Sequence, residues 1–297
     1  MRSEKSSPVV LQAHRHHPRL YQDNQFVYPV LSRRSHGLSL GINLSPHKRC
    51  NFDCPYCQVD RTVGMNDTPT YDLNRVEQEL RLMIRAAQSG ELFGAPQFAA
   101  APDELKRLND IALSGDGEPT AEVAFLDTCK LCASLRHELG LNDVKLIVIT
   151  NATMLHRPAV KEGLDLLTEN NGEIWAKLDA GSEPYYQTIN KTSIPFQRVL
   201  DNLAAAARER PIIIQTLFTC IDGVAVPPSE IRTYTKRLND ILVTGGTISA
   251  VQLHTIARKP ADSRLTSIEK DDLDQIAQSV RRDTGLEVQV YYGTEGS

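Results

Sequence analysis

The sequence predicts an α/β protein built as a partial, open (β/α)6 TIM-like barrel, with a doubly wound parallel sheet as the alternative. Three observations predict it. Strand-like runs alternate with helix-like runs along most of the chain, the pattern of parallel strands joined by right-handed crossovers. Most strand-like runs are continuous apolar stretches, which suits strands buried on both faces. The 297 residues are about the size of one α/β barrel, for which ~250 is typical, and six such units fit that length.

The elements follow in order. Residues 1–30 are rich in His, Pro and Tyr and predict no element; a basic N-terminal extension over 1–35 precedes a barrel domain over 36–297. The first strand is SLGINL (39–44). Helix 72–88 places Val76, Leu80, Met83, Ile84 and Ala87 on one apolar stripe. A Gly/Pro/Ala-rich stretch at about 90–109 reads as an insertion. Strand DIALSG (110–115) is followed by helix 122–140, closing on Gly140 as its C′ residue. Strands KLIVIT (145–150) and EIWAKLDA (173–180) come next. Helix 195–210 opens on Pro195, which a first turn tolerates. Strand PIIIQTLF (211–218), helix 227–242, strand ISAVQLH (248–254), helix 267–285 and strand EVQVYY (287–292) complete the chain.

Composition excludes several classes. With 41% apolar and 24% charged residues the chain is neither disordered nor fibrous. No run approaches the ~18 apolar residues of a membrane span, and residues 1–20 show no secretory apolar region, so a cytoplasmic protein without membrane partners is expected. The net charge of −4 is uneven. Residues 1–49 carry Arg2, Lys5, Arg15, Arg19, Arg33, Arg34, Lys48 and Arg49 against Glu4 and Asp23, a basic head on an acidic body. Such a head reads as a solvated arm or as a phosphate contact.

Three of the six cysteines fall together: CNFDCPYC places Cys50, Cys54 and Cys57 at C-x3-C-x2-C. Three thiolates on one loop can converge on one inorganic centre. On spacing alone the alternatives are an iron–sulfur cluster with one open iron, a zinc site completed by His47, and unrelated buried cysteines. The cluster directly follows the first strand, and loops after barrel strands form the face that carries active sites.

With Tyr56 as the aromatic before the last cysteine, this motif resembles that of the radical S-adenosylmethionine (SAM) superfamily. The resemblance implies a [4Fe–4S] cluster on Cys50, Cys54 and Cys57, with SAM on the fourth iron. It implies one-electron cleavage of SAM to methionine and a 5′-deoxyadenosyl radical, which takes hydrogen from an unidentified substrate. An electron donor such as flavodoxin or ferredoxin follows from that chemistry, and Tyr56 would pack near the adenine. In SGDGEPT (114–120), Gly115, Asp116, Gly117, Glu118 and Pro119 match the superfamily turn that binds the SAM ammonium. The turn departs from the pattern by one position, which leaves open which glycine does the work. Glycines there let carbonyls approach an ammonium closely.

Further candidates follow the later strands. Asn151 and Thr153 could meet a sugar or amino-acid moiety, or Thr153 could cap a turn. Lys177 and Asp179 share one face of their strand and are read as catalytic, contacting SAM or substrate, or as paired with each other. Gln215, Thr216, Gln252, His254 and Arg258 are weaker candidates, Gln215 being assigned to the cofactor.

Residues 35–265 are similar to the iron–sulfur oxidoreductase group related to wyosine-base synthases, which act on tRNA. No cysteine precedes Cys50 to hold the second cluster of those enzymes, and the body is acidic, so tRNA is not favoured as a partner. Cys129 and Cys132 read as a buried helical pair, with an auxiliary metal site as the alternative, and Cys220 as a lone buried residue. The competing class is a non-catalytic zinc or iron–sulfur binding module.

Overall fold

The structure is a computed structural model that describes residues 21–61, 69–258 and 260–293. Among these residues one eight-stranded sheet runs in the order β1 (Val27–Ser32), β2 (Gly37–Asn43), β3 (Leu108–Ser114), β4 (Lys145–Thr150), β5 (Gly172–Lys177), β6 (Ile212–Leu217), β8 (Ile248–His254) and β10 (Val288–Tyr291). β1 pairs antiparallel with β2, and every other pairing is parallel. The strands follow one another in sequence order with no reversal, so the sheet is not doubly wound, and β1 and β10 do not pair, so it is an open half-barrel. A small antiparallel pair, β7 (Cys220–Ile221) with β9 (Leu265–Thr266), lies outside it.

The helices are α1 (Leu73–Ser89), α2 (Phe125–Glu138), α3 (Pro158–Glu169), α4 (Glu183–Asn190), α5 (Phe196–Glu209), α6 (Pro228–Val243) and α7 (Lys270–Thr284). α1 starts where the Asp72 carboxylate accepts from the amides of Asn74 and Arg75, and stops at Gly90, whose φ of 82° is left-handed. Its buried face holds Val76, Leu80, Met83, Ile84 and Ala87, each Leu or Ile contributing roughly 1.5–3 kcal/mol by leaving water. Gly140 follows α2 at a φ of 62°, the conformation a C′ residue needs. Helix α2 begins three residues later than its sequence suggests, because Glu122 is used to hold the loop after β2.

Several elements are additions to the sequence reading, the β7–β9 pair among them. β1 forms within the N-terminal segment for which no element is predicted. The buried Glu79 carboxylate of α1 accepts from the amides of Gln25, Phe26 and Val27 at 2.8–3.0 Å, which fixes the start of that strand. Helices α3 and α4 fill the connections after β4 and β5. The stretch 90–109 carries two 3-10 turns, and Leu92, Phe93, Phe98 and Ala101 bury themselves in the main core.

Strand side chains alternate. Ile111, Leu113, Leu146, Val148, Ile174 and Ala176 enter the core under the helices. Ala112, Ile147 and Trp175 form a second apolar cluster inside the half-barrel, with Ile149 and Ile213 against it. Cys129 and Cys132 are fully buried in α2 and belong to the core.

Candidate active site

A cavity of about 380 Å³ occupies the concave side of the sheet. Cys50, Cys54, Cys57, Tyr56, Arg61, Gly115, Asp116, Gly117, Glu118, Asn151, Lys177 and Gln215 all line it. Every one comes from the C-terminal part of a parallel strand or from the loop after it, where barrel folds place their chemistry.

The cysteine loop is pinned from several sides. Phe52 packs edge-on against Tyr186 of α4, ring centroids 5.8 Å apart. The Asp53 amide donates to Asn190 O at 3.1 Å, and Thr192 Oγ1 donates to Asn51 O at 2.8 Å. The Asn190 side-chain amide approaches Cys54 Sγ at 3.6 Å, and Arg61 Nη2 approaches Cys57 Sγ at 3.6 Å. Arg61 also donates to the carbonyls of Lys48 and Asp116, tying the loop to the turn after β3. Burial pushes the Cys54 thiol up to about 12 and raises Cys50 as well. His47 does not join the cysteines: its Nε2 stands 3.3 Å from Glu122 and its Nδ1 accepts from the Arg49 amide. Among the described residues no three His, Cys, Asp or Glu side chains are grouped to hold a metal ion.

In the turn after β3, Gly115 has a φ of 133°. Asn43 Nδ2 donates to Asp116 Oδ2 at 2.8 Å, and the Asp116 amide donates back to Asn43 Oδ1 at 3.1 Å. A Cβ on Gly117 would lie 2.2 Å from Arg49 O and 2.6 Å from Ser45 Oγ. Gly117 therefore lets the cysteine loop sit directly on the turn, while Gly115 supplies the left-handed bend.

Glu118 is buried, and its carboxylate is already occupied. Oε1 accepts from Thr120 N, Thr120 Oγ1 and Thr150 Oγ1 at 3.1, 2.5 and 2.6 Å, and Oε2 accepts from Asn151 N at 2.6 Å. Burial raises its pKa against these bonds. Asn151 Nδ2 in turn donates to Asn51 Oδ1 at 2.6 Å, and Asn51 Nδ2 to Thr153 Oγ1 at 2.7 Å. Thr153 also donates to Asn151 Oδ1, so it serves a turn that braces the cysteine loop.

Lys177 and Asp179 form an ion pair at 3.2 Å. Asp179 is fully buried and does not line the cavity, whereas Lys177 does. Asp179 Oδ2 accepts from Tyr56 and Asn190, and Oδ1 from the Leu217 amide at 2.8 Å. Lys177 Nζ lies 5.2 Å from the Tyr56 ring centroid. Gln215 donates to Gln252 at 2.9 Å across β6 and β8.

Asn43, Ser45, Asn51, Arg61, Glu122 and Asn190 are site residues the sequence reading misses. Ser45, Asn51 and Arg61 flank or interrupt the cysteine motif, which is the signal that could have found them. The signal for α4 was Ser182 before Glu183 and Pro184, a capped helix start that the structure uses.

The family model of the radical SAM superfamily matches residues 44–225, and the chain belongs to that superfamily. Its members use a [4Fe–4S] cluster and SAM, and Cys50, Cys54 and Cys57 fit the cluster motif. A protein named GTPase Obg from Brachyspira hyodysenteriae is 22% identical over 297 residues, covering 97% of this chain and 38% of that protein. A UPF0026 protein of Methanocaldococcus jannaschii is 28% identical over 186 residues, 60% of this chain and 48% of its own length. A UPF0026 protein of Helicobacter pylori is 25% identical over 254 residues, 82% of this chain and 70% of its own. The chain thus spans less than half the length of the first two. A structure of TYW1 with a lysine-pyruvate adduct bound superposes with a TM-score of 0.57 at 14% identity, over 88% of this chain and 85% of that one, a likeness of fold. Among the described residues no helix is long and apolar enough to cross a membrane.

Proposed function

We propose that the protein is a radical SAM enzyme acting on a small substrate held in the concave cavity. One observation carries the reading: three cysteines and the Gly-Asp-Gly-Glu turn line the same cavity, and the loop that carries the cysteines packs on that turn where Ser45 and Arg49 meet Gly117. Cys50, Cys54 and Cys57 would hold three irons of the cluster, which when bound supplies the electron for reductive cleavage of SAM. Gly115 and Gly117 would offer backbone carbonyls to the SAM ammonium, and the Asp116 carbonyl accepts from Arg61. Glu118 orients that turn against Thr150 and Asn151, because most of its acceptor capacity is spent there. Tyr56 and Gln215 form walls for the nucleoside. Lys177 lines the cavity and would face the reacting groups, and Asp179 positions both Lys177 and Tyr56. The electron comes from a carrier of the flavodoxin or ferredoxin kind.

The test is product analysis. Protein purified without oxygen and reduced with dithionite should convert SAM to 5′-deoxyadenosine and methionine in equal amounts. No 5′-deoxyadenosine above a protein-free control would overturn the reading.

A further inference from the structure

The lower part of the same cavity contains charge that the SAM site does not use. Arg33 and Arg34 sit in the turn between β1 and β2, and both line the cavity. Arg33 Nη1 donates to Tyr292 O at 2.8 Å, which holds that turn against the far edge of the open sheet. Arg34 lies over the only tryptophan of the chain, its guanidinium carbon 5.4 Å from the Trp175 ring centroid. Among the described residues its guanidinium has no ion-pair partner within 4.0 Å and no hydrogen-bond acceptor. Two neighbours are also unsatisfied: Asp110 and His254 line the cavity, and Asp110 Oδ2 and His254 Nδ1 are buried without a hydrogen-bond partner.

We propose that the Arg34–Trp175 pair anchors an oxyanion, a carboxylate or phosphate group, of the small substrate. The inference rests on the cavity being the substrate site proposed above. A planar guanidinium presents paired N–H donors that match two oxygens of such a group. Trp175 fixes its plane, and Ala112, Ile147 and Ile213 make the surroundings apolar, which strengthens the attraction. Local charge favours an anion: Arg33 and Arg34 line this end of the cavity with Asp110, while Lys145 and Glu173 lie outside the lining and pair with each other. Asp110 would take a hydroxyl or amino donor on the same ligand, because one of its oxygens is unfilled.

The SAM carboxylate is a poor occupant. The cysteine loop that would hold the cluster and SAM lies beyond the C-terminal end of β2, while Arg34 precedes the strand's first residue, Gly37. Trp175 stands two residues before Lys177 on β5, roughly 7 Å further from that loop. An anion at Arg34 would therefore hold a substrate beneath the reacting end of SAM.

Trp175 provides the readout. The full chain, without SAM, is titrated with inorganic phosphate and, separately, with lactate, at ionic strength held constant with sodium chloride. A saturable change in tryptophan fluorescence is expected with at least one; a response to phosphate alone assigns a phosphate ligand, to lactate alone a carboxylate. Arg34→Gln should weaken the response about tenfold or more, and Arg34→Lys, which keeps the charge but loses the fork, by less. Arg282→Gln, a change at an exposed arginine, should leave it unchanged. No saturable response to either anion in the unaltered protein would overturn the proposal. So would undiminished affinity in Arg34→Gln with a native circular dichroism spectrum, or in Arg34→Lys if the glutamine variant does not fold. The titration needs neither cluster nor SAM, so its failure is distinct from failure of SAM cleavage.

Discussion

The hydroxyl of Tyr56 donates to the Asp179 carboxylate at 2.5 Å, joining the cysteine motif to the end of strand β5. The residue that packs beside the last cysteine is thereby tied to the ion pair with Lys177. Burial and the neighbouring Asp179 charge hold the Tyr56 phenol far above its ordinary range, so it stays a donor.

Tyr56→Phe removes one donor from a buried carboxylate that keeps three other partners. Denaturant unfolding should show a loss of about 1–3 kcal/mol, with iron content unchanged. Asp179→Ala should cost more, ~3–5 kcal/mol, because it leaves the largely buried Lys177 without its counter-ion.

Gly117→Ala tests the contact between the turn and the cysteine loop. The added methyl would meet backbone, Arg49 O, at 2.2 Å, so the loop must move. Reconstituted protein should hold less than about half the normal iron of ~4 per chain while keeping its circular dichroism spectrum. Gly94→Ala, where a Cβ meets nothing within 4 Å, should bind iron normally.

Asp110 gives stability a specific pH dependence. Burial raises its pKa from 3.8 to about 6. The folded state therefore binds this proton more tightly than the unfolded chain. Stability from this group is highest below pH 3.8, falls as pH rises towards 6, and stays low above it. That rise corresponds to ~3 kcal/mol. Asp110→Asn should be more stable than the unaltered protein at pH 7.5, and the advantage should vanish near pH 4. An equal difference at both pH values would contradict this.

The two groups of cysteines should separate cleanly. Cys50→Ala should abolish the bound cluster. Cys129→Ala should leave iron content intact and cost ~1–3 kcal/mol through lost packing, since Cys129 is fully buried in α2.

What the sequence reveals depends on the range of the interaction. Cys50, Cys54 and Cys57 are legible because their chemistry is written in one short spacing, and the parallel strands because they are continuous apolar runs. Strand β1 is not: VYPVLS contains Pro29, and its start is fixed by Glu79, more than fifty residues away. Lys177 and Asp179 are legible as sharing a face, but alternation cannot tell that Asp179 turns away from the cavity to hold Tyr56. Glu118 is legible as a turn carboxylate, yet its partners Thr150 and Asn151 come from the next strand. Arg34 reads as part of a basic head, and only the β1–β2 hairpin carries it under the barrel.

The central claim is that Cys50, Cys54 and Cys57 hold a cubane beside the Gly117 turn. Metal and sulfide analysis of protein purified without oxygen tests it most directly. The expected result is brown protein with about four iron and four sulfide per chain. Colourless protein holding one zinc and no sulfide would contradict it.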